Sequence, residues 1–91
     1  MGLYFEWDNN KAESNVIKHK VTFEEASTIF ADNYSITIDD PDHSIIEKRF
    51  ITIGLSAYHR VLVVIHTYRA NKIRIISARK ASTKEKQQYE K

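Results

Sequence analysis

Val61-Leu62-Val63-Val64-Ile65-His66-Thr67-Tyr68-Arg69, then Ala70-Asn71, then Lys72-Ile73-Arg74-Ile75-Ile76-Ser77-Ala78 is the stretch whose reading decides the fold. Its two runs are rich in Ile and Val, whose branched side chains suit a pleated, half-buried chain, and the link of two residues is short enough for a tight hairpin. Alternation sorts the faces. Val61, Val63, Ile65, Thr67 and Arg69 share one side of the first strand, and Leu62, Val64, His66 and Tyr68 the other. On the second strand the same rule puts Ile73, Ile75, Ser77 and Arg79 together, opposite Arg74, Ile76 and Ala78.

Upstream, Phe50 to Leu55 and Ser35 to Ile38 read as two more strands, separated by the turn-rich Asp39-Asp40-Pro41-Asp42-His43-Ser44. Leu3, Phe5 and Trp7 alternate with Tyr4 and Glu6, which predicts a short opening strand. Asp8 is placed to cap a helix running to about His19, on which Asp8, Ala12, Asn15 and His19 share one stripe and Val16 joins Ala12 on the core side. Thr22 and Glu25 are spaced as a capping box before a second helix that turns Phe23, Ala26, Ile29 and Phe30 inward, and Ser82 and Glu85 form another before a C-terminal helix through Tyr89. The expected fold is a small α+β domain over residues 1–91, ordered β-α-α-β-β-β-β-α, with helices packed on an antiparallel sheet.

Composition narrows the function classes. The 91 residues contain no cysteine, which excludes disulfides, thiolate metal sites and a cysteine nucleophile, and permits a reducing cytosol. The first ten residues lack the features of a signal peptide, and no apolar run approaches the ~18 residues of a membrane span, so a cytoplasmic protein without membrane contact is expected. Charge is divided unevenly along the chain. Residues up to Glu47 carry a formal −7 and the remainder +9, so a total of +2 conceals a basic half. Clustered positive charge is the footprint of a phosphate polymer, because neutralising a polyanion releases its counterions. The competing arrangement is one in which the acids fold back over the bases.

Arg49 precedes Ile51 and Ile53, and Arg79 follows Ile73 and Ile75, so each is placed at the end of an apolar stripe where a planar guanidinium suits a phosphate; either can equally pair with an acid. Lys18-His19 closes the first helix, where a cation meets the carbonyl end of the helix dipole. An imidazole beside a lysine is also what proton transfer requires. Asp39, Asp40, Asp42 and His43 match neither a calcium loop nor a zinc helix motif, and no Gly-rich phosphate loop or nucleophile elbow is present, so no metal or cofactor is expected.

Several strings resemble the BrnT family of bacterial toxins. They are Phe5-Glu6-Trp7-Asp8, Lys11-Ala12 with Asn15, Lys18-His19, Val21 with Phe23-Glu24-Glu25-Ala26, Arg49-Phe50, Ile53-Gly54, Val63-Val64 and Ile73 through Lys80. The resemblance covers nearly the whole chain. It implies a fold similar to RelE-type ribonuclease toxins and the toxin role in a type II toxin-antitoxin pair. The implied partners are an RNA substrate and a BrnA-type ribbon-helix-helix antitoxin, through which alone operator DNA would be reached. Metal-free RNA cleavage needs a base, an acid and cations on the phosphorane. Under this resemblance His19 or Lys18 transfers protons, Arg49 and Arg79 hold the scissile phosphate, and Arg69, Arg74 and Lys80 guide the strand. The alternative is a non-catalytic module that binds nucleic acid or protein.

Overall fold

A computed structural model describes residues 2–41 and 47–91. In chain order these form β1 (Phe5–Glu6), α1 (Asn9–His19), α2 (Phe23–Ser27) running into a 3-10 turn (Thr28–Ala31), β2 (Ile36–Asp39), β3 (Phe50–Leu55), β4 (Val61–Arg69), β5 (Lys72–Lys80) and α3 (Thr83–Tyr89). Ala70 and Asn71 both take positive φ, 48° and 69°, the mirror-image turn whose twist matches that of flanking strands. The sheet runs β1-β5-β4-β3-β2. Its β2 to β5 neighbours are antiparallel as expected, whereas β1 lies parallel to β5, with Phe5 opposite Ile73 and Glu6 opposite Arg74. The mixed sheet follows from connectivity, since β1 is joined to the rest through two helices and is free to enter the open edge of β5 in either sense.

One irregularity reorganises the faces. Ile65 is opposite Ser77 while His66 is opposite Ile75, so Ile76 is an extra residue, a β-bulge. Ile75 and Ala78 therefore pack with Leu62 and Val64 against Val21, Phe23, Ala26 and Ile29, while Ser77 and Arg79 turn to the other side, level with Ile65 and Val63. Strict alternation placed Arg79 beside Ile73 and Ile75; the bulge puts it on the opposite face from both.

Helices α1 and α2 cover the first face. Asp8 caps α1 by accepting from the Asn10 and Lys11 N–H groups at 2.8 and 3.2 Å, and Lys20 ends it at φ 59°. Val16, expected inward, is 39% exposed, and the residue inserted instead is Asn15. Its amide donates to the Val21 and Ala78 carbonyls (2.9 and 2.8 Å) and accepts from the Ala78 N–H (3.0 Å). The reason is the edge of β5 beyond β1: its backbone groups need partners, and an Asn amide carries both a donor and an acceptor. Thr22 accepts from the Glu25 N–H at 3.0 Å, but the second half of that capping box is absent. The Glu25 carboxylate is buried and taken by Ser56 and Arg60, which ties the β3–β4 turn to α2.

On the second face α3 shields Ile53, Val61 and Val63 with Ala81 and Tyr89, and starts with the expected Ser82–Glu85 box, closed on both sides. The Tyr89 hydroxyl donates to Asp32, which also accepts the Leu55 N–H. Gly54 lies where a Cβ would come within 3.1 Å of Ile29 and Ser35, so its missing side chain lets the 3-10 turn approach β3. No helix among the described residues is long and apolar enough to cross a membrane.

The two charge halves interleave. Glu25 pairs with Arg60, Glu6 with Arg74 (3.2 Å), Glu47 with Arg69 (3.0 Å) and Asp39 with Lys48 (3.5 Å), each an acid of the first half with a base of the second or across their boundary. The segregation along the sequence is in this way largely mixed in space.

Candidate active site

The end of α1 and the bulge of β5 together build a concave surface. Because Asn15 is fixed to both Val21 and Ala78, the next turn of the helix carries Lys18 and His19 over the β5 edge. There Asn10, Lys11, Ser14, Asn15, Lys18 and His19 line a cavity of about 280 Å³ whose sheet wall is Ile76 and Ser77. A second cavity of about 290 Å³ is lined by Asp40, Arg49 and Ile65, and again by Ile76 and Ser77. Each is small for a drug-sized ligand, and their shared wall makes them neighbours across one strand.

The sequence-derived residues divide into four groups. Lys18 and His19 line the first cavity and Arg49 the second, so the bulge brings these three to one region. Arg79 points to the same face as Ser77 but is held in a two-pronged pair by Glu85, both bonds 2.8 Å. That guanidinium pulls the Glu85 carboxyl down to about 2, helped by the Ser82 N–H, and the Arg79 value is raised in turn. Arg69 and Arg74 lie towards the β4–β5 turn with Glu47 and Glu6. The Arg69 guanidinium keeps the Glu47 carboxyl below the usual range. Lys80 is elsewhere: it borders a hollow with His59, Arg60, Lys86 and Glu90 beneath α3.

Of the acidic turn, Asp39 pairs with Lys48 and Asp40 is buried, while Asp42 and His43 lie outside the described residues. Among the described residues no three His, Asp or Glu side chains gather as a metal site. His66 is wholly buried on the face that α1 and α2 cover, between Phe30, Phe50 and Tyr68, with Nε2 2.7 Å from the Thr52 hydroxyl, itself 2.8 Å from Thr37. Burial pushes its imidazole down to about 4, so it serves the fold rather than proton transfer near neutrality.

Reading the sequence by alternation missed Ser77 and Asp40 as parts of this surface. The doublet Ile75-Ile76 followed by the small pair Ser77-Ala78 was the available sign, since two consecutive apolar residues in a two-sided strand are compatible with a bulge.

Comparison with known proteins bears on this geometry. A family described as ribonuclease toxin, BrnT, of type II toxin-antitoxin system matches residues 7–85. No curated protein matches the chain. Among solved structures the fold is similar to the 1.1 Å crystal structure of the Brucella abortus ribonuclease toxin BrnT, at 21% identity and a TM-score of 0.65 over 90% of this chain and 100% of that one.

Proposed function

Because the chain belongs to the BrnT family of ribonuclease toxins of type II toxin-antitoxin systems, we propose that its chemistry is metal-independent internal cleavage of RNA at the paired cavities. The observation that carries this reading is the wall formed by Ile76 and Ser77, which sets Lys18 and His19 on one side and Arg49 on the other. A phosphodiester lying over that wall meets Lys18 and His19 from one side and Arg49 from the other.

The reaction uses the substrate's own nucleophile. His19 or Lys18 takes the proton of the ribose 2′-hydroxyl, O2′ bonds to phosphorus, and the P–O5′ bond breaks as O5′ receives a proton from the conjugate acid of the pair. The products are a 2′,3′-cyclic phosphate and a 5′-hydroxyl. Arg49 stabilises the charge that builds on the phosphorane oxygens, a role whose loss typically costs ~10²- to 10³-fold. Arg79 joins it only when a phosphate displaces Glu85, an exchange of one planar pair for another. Arg69 and Arg74 guide the strand by the same exchange with Glu47 and Glu6, and Lys80 contacts it further along. Cleavage of cellular RNA inhibits translation and growth. A BrnA-type antitoxin neutralises the protein by binding it and is its route to operator DNA.

The test is incubation of the purified protein with a defined RNA in excess chelator. New 5′-hydroxyl ends that disappear in Arg49→Ala and His19→Ala, with folding preserved, support the reading. Intact RNA with a mobility shift overturns it in favour of a binding module.

A further inference from the structure

Ser77 is the polar residue that both cavities share, and neither a helix cap nor the sheet ladder explains why a serine stands there. Opposite Ile65 the ladder uses only its backbone, and its neighbours on that side are Ile65, Ile76 and the aliphatic Val63 row. An apolar side chain would extend that surface. Instead the bulge sets a half-buried serine in the wall that the Lys18/His19 cavity and the Arg49 cavity share.

We propose that Ser77 is a substrate-contacting residue: its Oγ donates a hydrogen bond to a non-bridging oxygen of the phosphate that Arg49 holds, and so fixes which ribose faces Lys18 and His19. The inference rests on the cleavage reading above. A serine hydroxyl is short, uncharged and free to rotate, so it contributes only to a phosphate placed directly over that wall. Arginine side chains reach a phosphate from many positions; Ser77 reaches it from one. The contact strengthens as charge accumulates on the phosphorane, so it acts on the chemical step more than on ground-state binding. Asn15 completes the geometry from below, because its bonds to Ala78 hold the residue next to Ser77 at a fixed distance from α1.

The full chain is tested as wild type, Ser77→Ala and Ser77→Thr on a short oligoribonucleotide, with a 2′-O-methyl copy of the same sequence as an uncleavable binding probe. The expected result is a loss of about tenfold or more in kcat/KM for Ser77→Ala, carried mainly by kcat. Ser77→Thr keeps most of the rate, and all three proteins melt alike. Wild-type rates in Ser77→Ala overturn the assignment and leave the cleavage reading standing. Equal losses in Ser77→Ala and Ser77→Thr with lowered melting temperatures also overturn it, because the residue is then structural. If the wild type binds the probe but cuts nothing, the cleavage reading falls, and this inference falls with it.

Discussion

Acidification from pH 7.5 to pH 5 should weaken this fold through one buried imidazole. His66 has no exposed surface, and burial brings its pKa from 6.5 to about 4. Between those values the unfolded chain binds a proton that the folded chain refuses, so stability is complete above about pH 6.5 and falls as pH drops towards 4. At about 1.4 kcal/mol per unit, the loss is about 2 kcal/mol by pH 5 and about 3 kcal/mol by pH 4. Against a domain stability of ~5–15 kcal/mol that is a large fraction, equivalent to roughly 10 °C in melting temperature. Trp7, the single tryptophan, packs edge-on against Phe23 at 5.8 Å and reports the transition by fluorescence during urea titration at each pH. The carboxylates with depressed values, Glu25, Asp32, Glu47 and Glu85, act mainly below this window. His66→Gln removes the titration, and its stability should change much less over the same interval, whatever the cost of the substitution itself. Parallel losses in wild type and His66→Gln would refute the reasoning, as would a His66 ring titrating near 6.5 by NMR.

Asn15→Ala removes three buried hydrogen bonds and leaves the Ala78 edge unsatisfied, so it should cost about 2–4 kcal/mol, read as a lower urea midpoint with an unchanged slope. Arg60→Ala strands the Glu25 carboxylate, which is 4% exposed; with Arg60 itself 33% exposed, solvent moderates the penalty to about 2–3 kcal/mol, measurable by thermal melting. Glu85 is held at about 2 by Arg79, so its contribution is present above its unfolded value near 4.5 and is lost as pH falls towards 2. Glu85→Gln should therefore melt lower at pH 7 and lose less than wild type between pH 5 and pH 3, followed by circular dichroism. Expressed without an antitoxin, Arg49→Ala that stays folded by circular dichroism should no longer arrest growth; continued arrest would remove Arg49 from the site.

Much of the architecture was legible residue by residue. Asp8, the Ser82–Glu85 box and the Ala70-Asn71 turn act as their types and spacing require, because caps and tight turns are settled by interactions within a few residues. The errors occur where a distant partner decides. Val16 stays exposed while Asn15, on the stripe with Ala12, is the residue buried because the β5 edge needed an amide, and Glu25 left its capping box because Ser56 and Arg60 offered charge-assisted bonds in a buried place. The candidate site was legible in part. Lys18, His19 and Arg49 were chosen by chemistry and do border adjoining cavities, whereas Lys80 was grouped with them by sign of charge and stands apart.

By itself, the sequence determined the element order, the hairpin, most helix starts and membership of the toxin family, since local propensity, alternation and a succession of short motifs are written in one dimension. Tertiary structure alone decided the parallel seat of β1, the pairing of acidic with basic halves, and the single extra residue in β5 that moves Ser77 and Arg79 across the sheet. A bulge costs the strand one ladder position and is repaid only by neighbours on both faces, so the Ile75-Ile76 doublet is compatible with it but does not decide it.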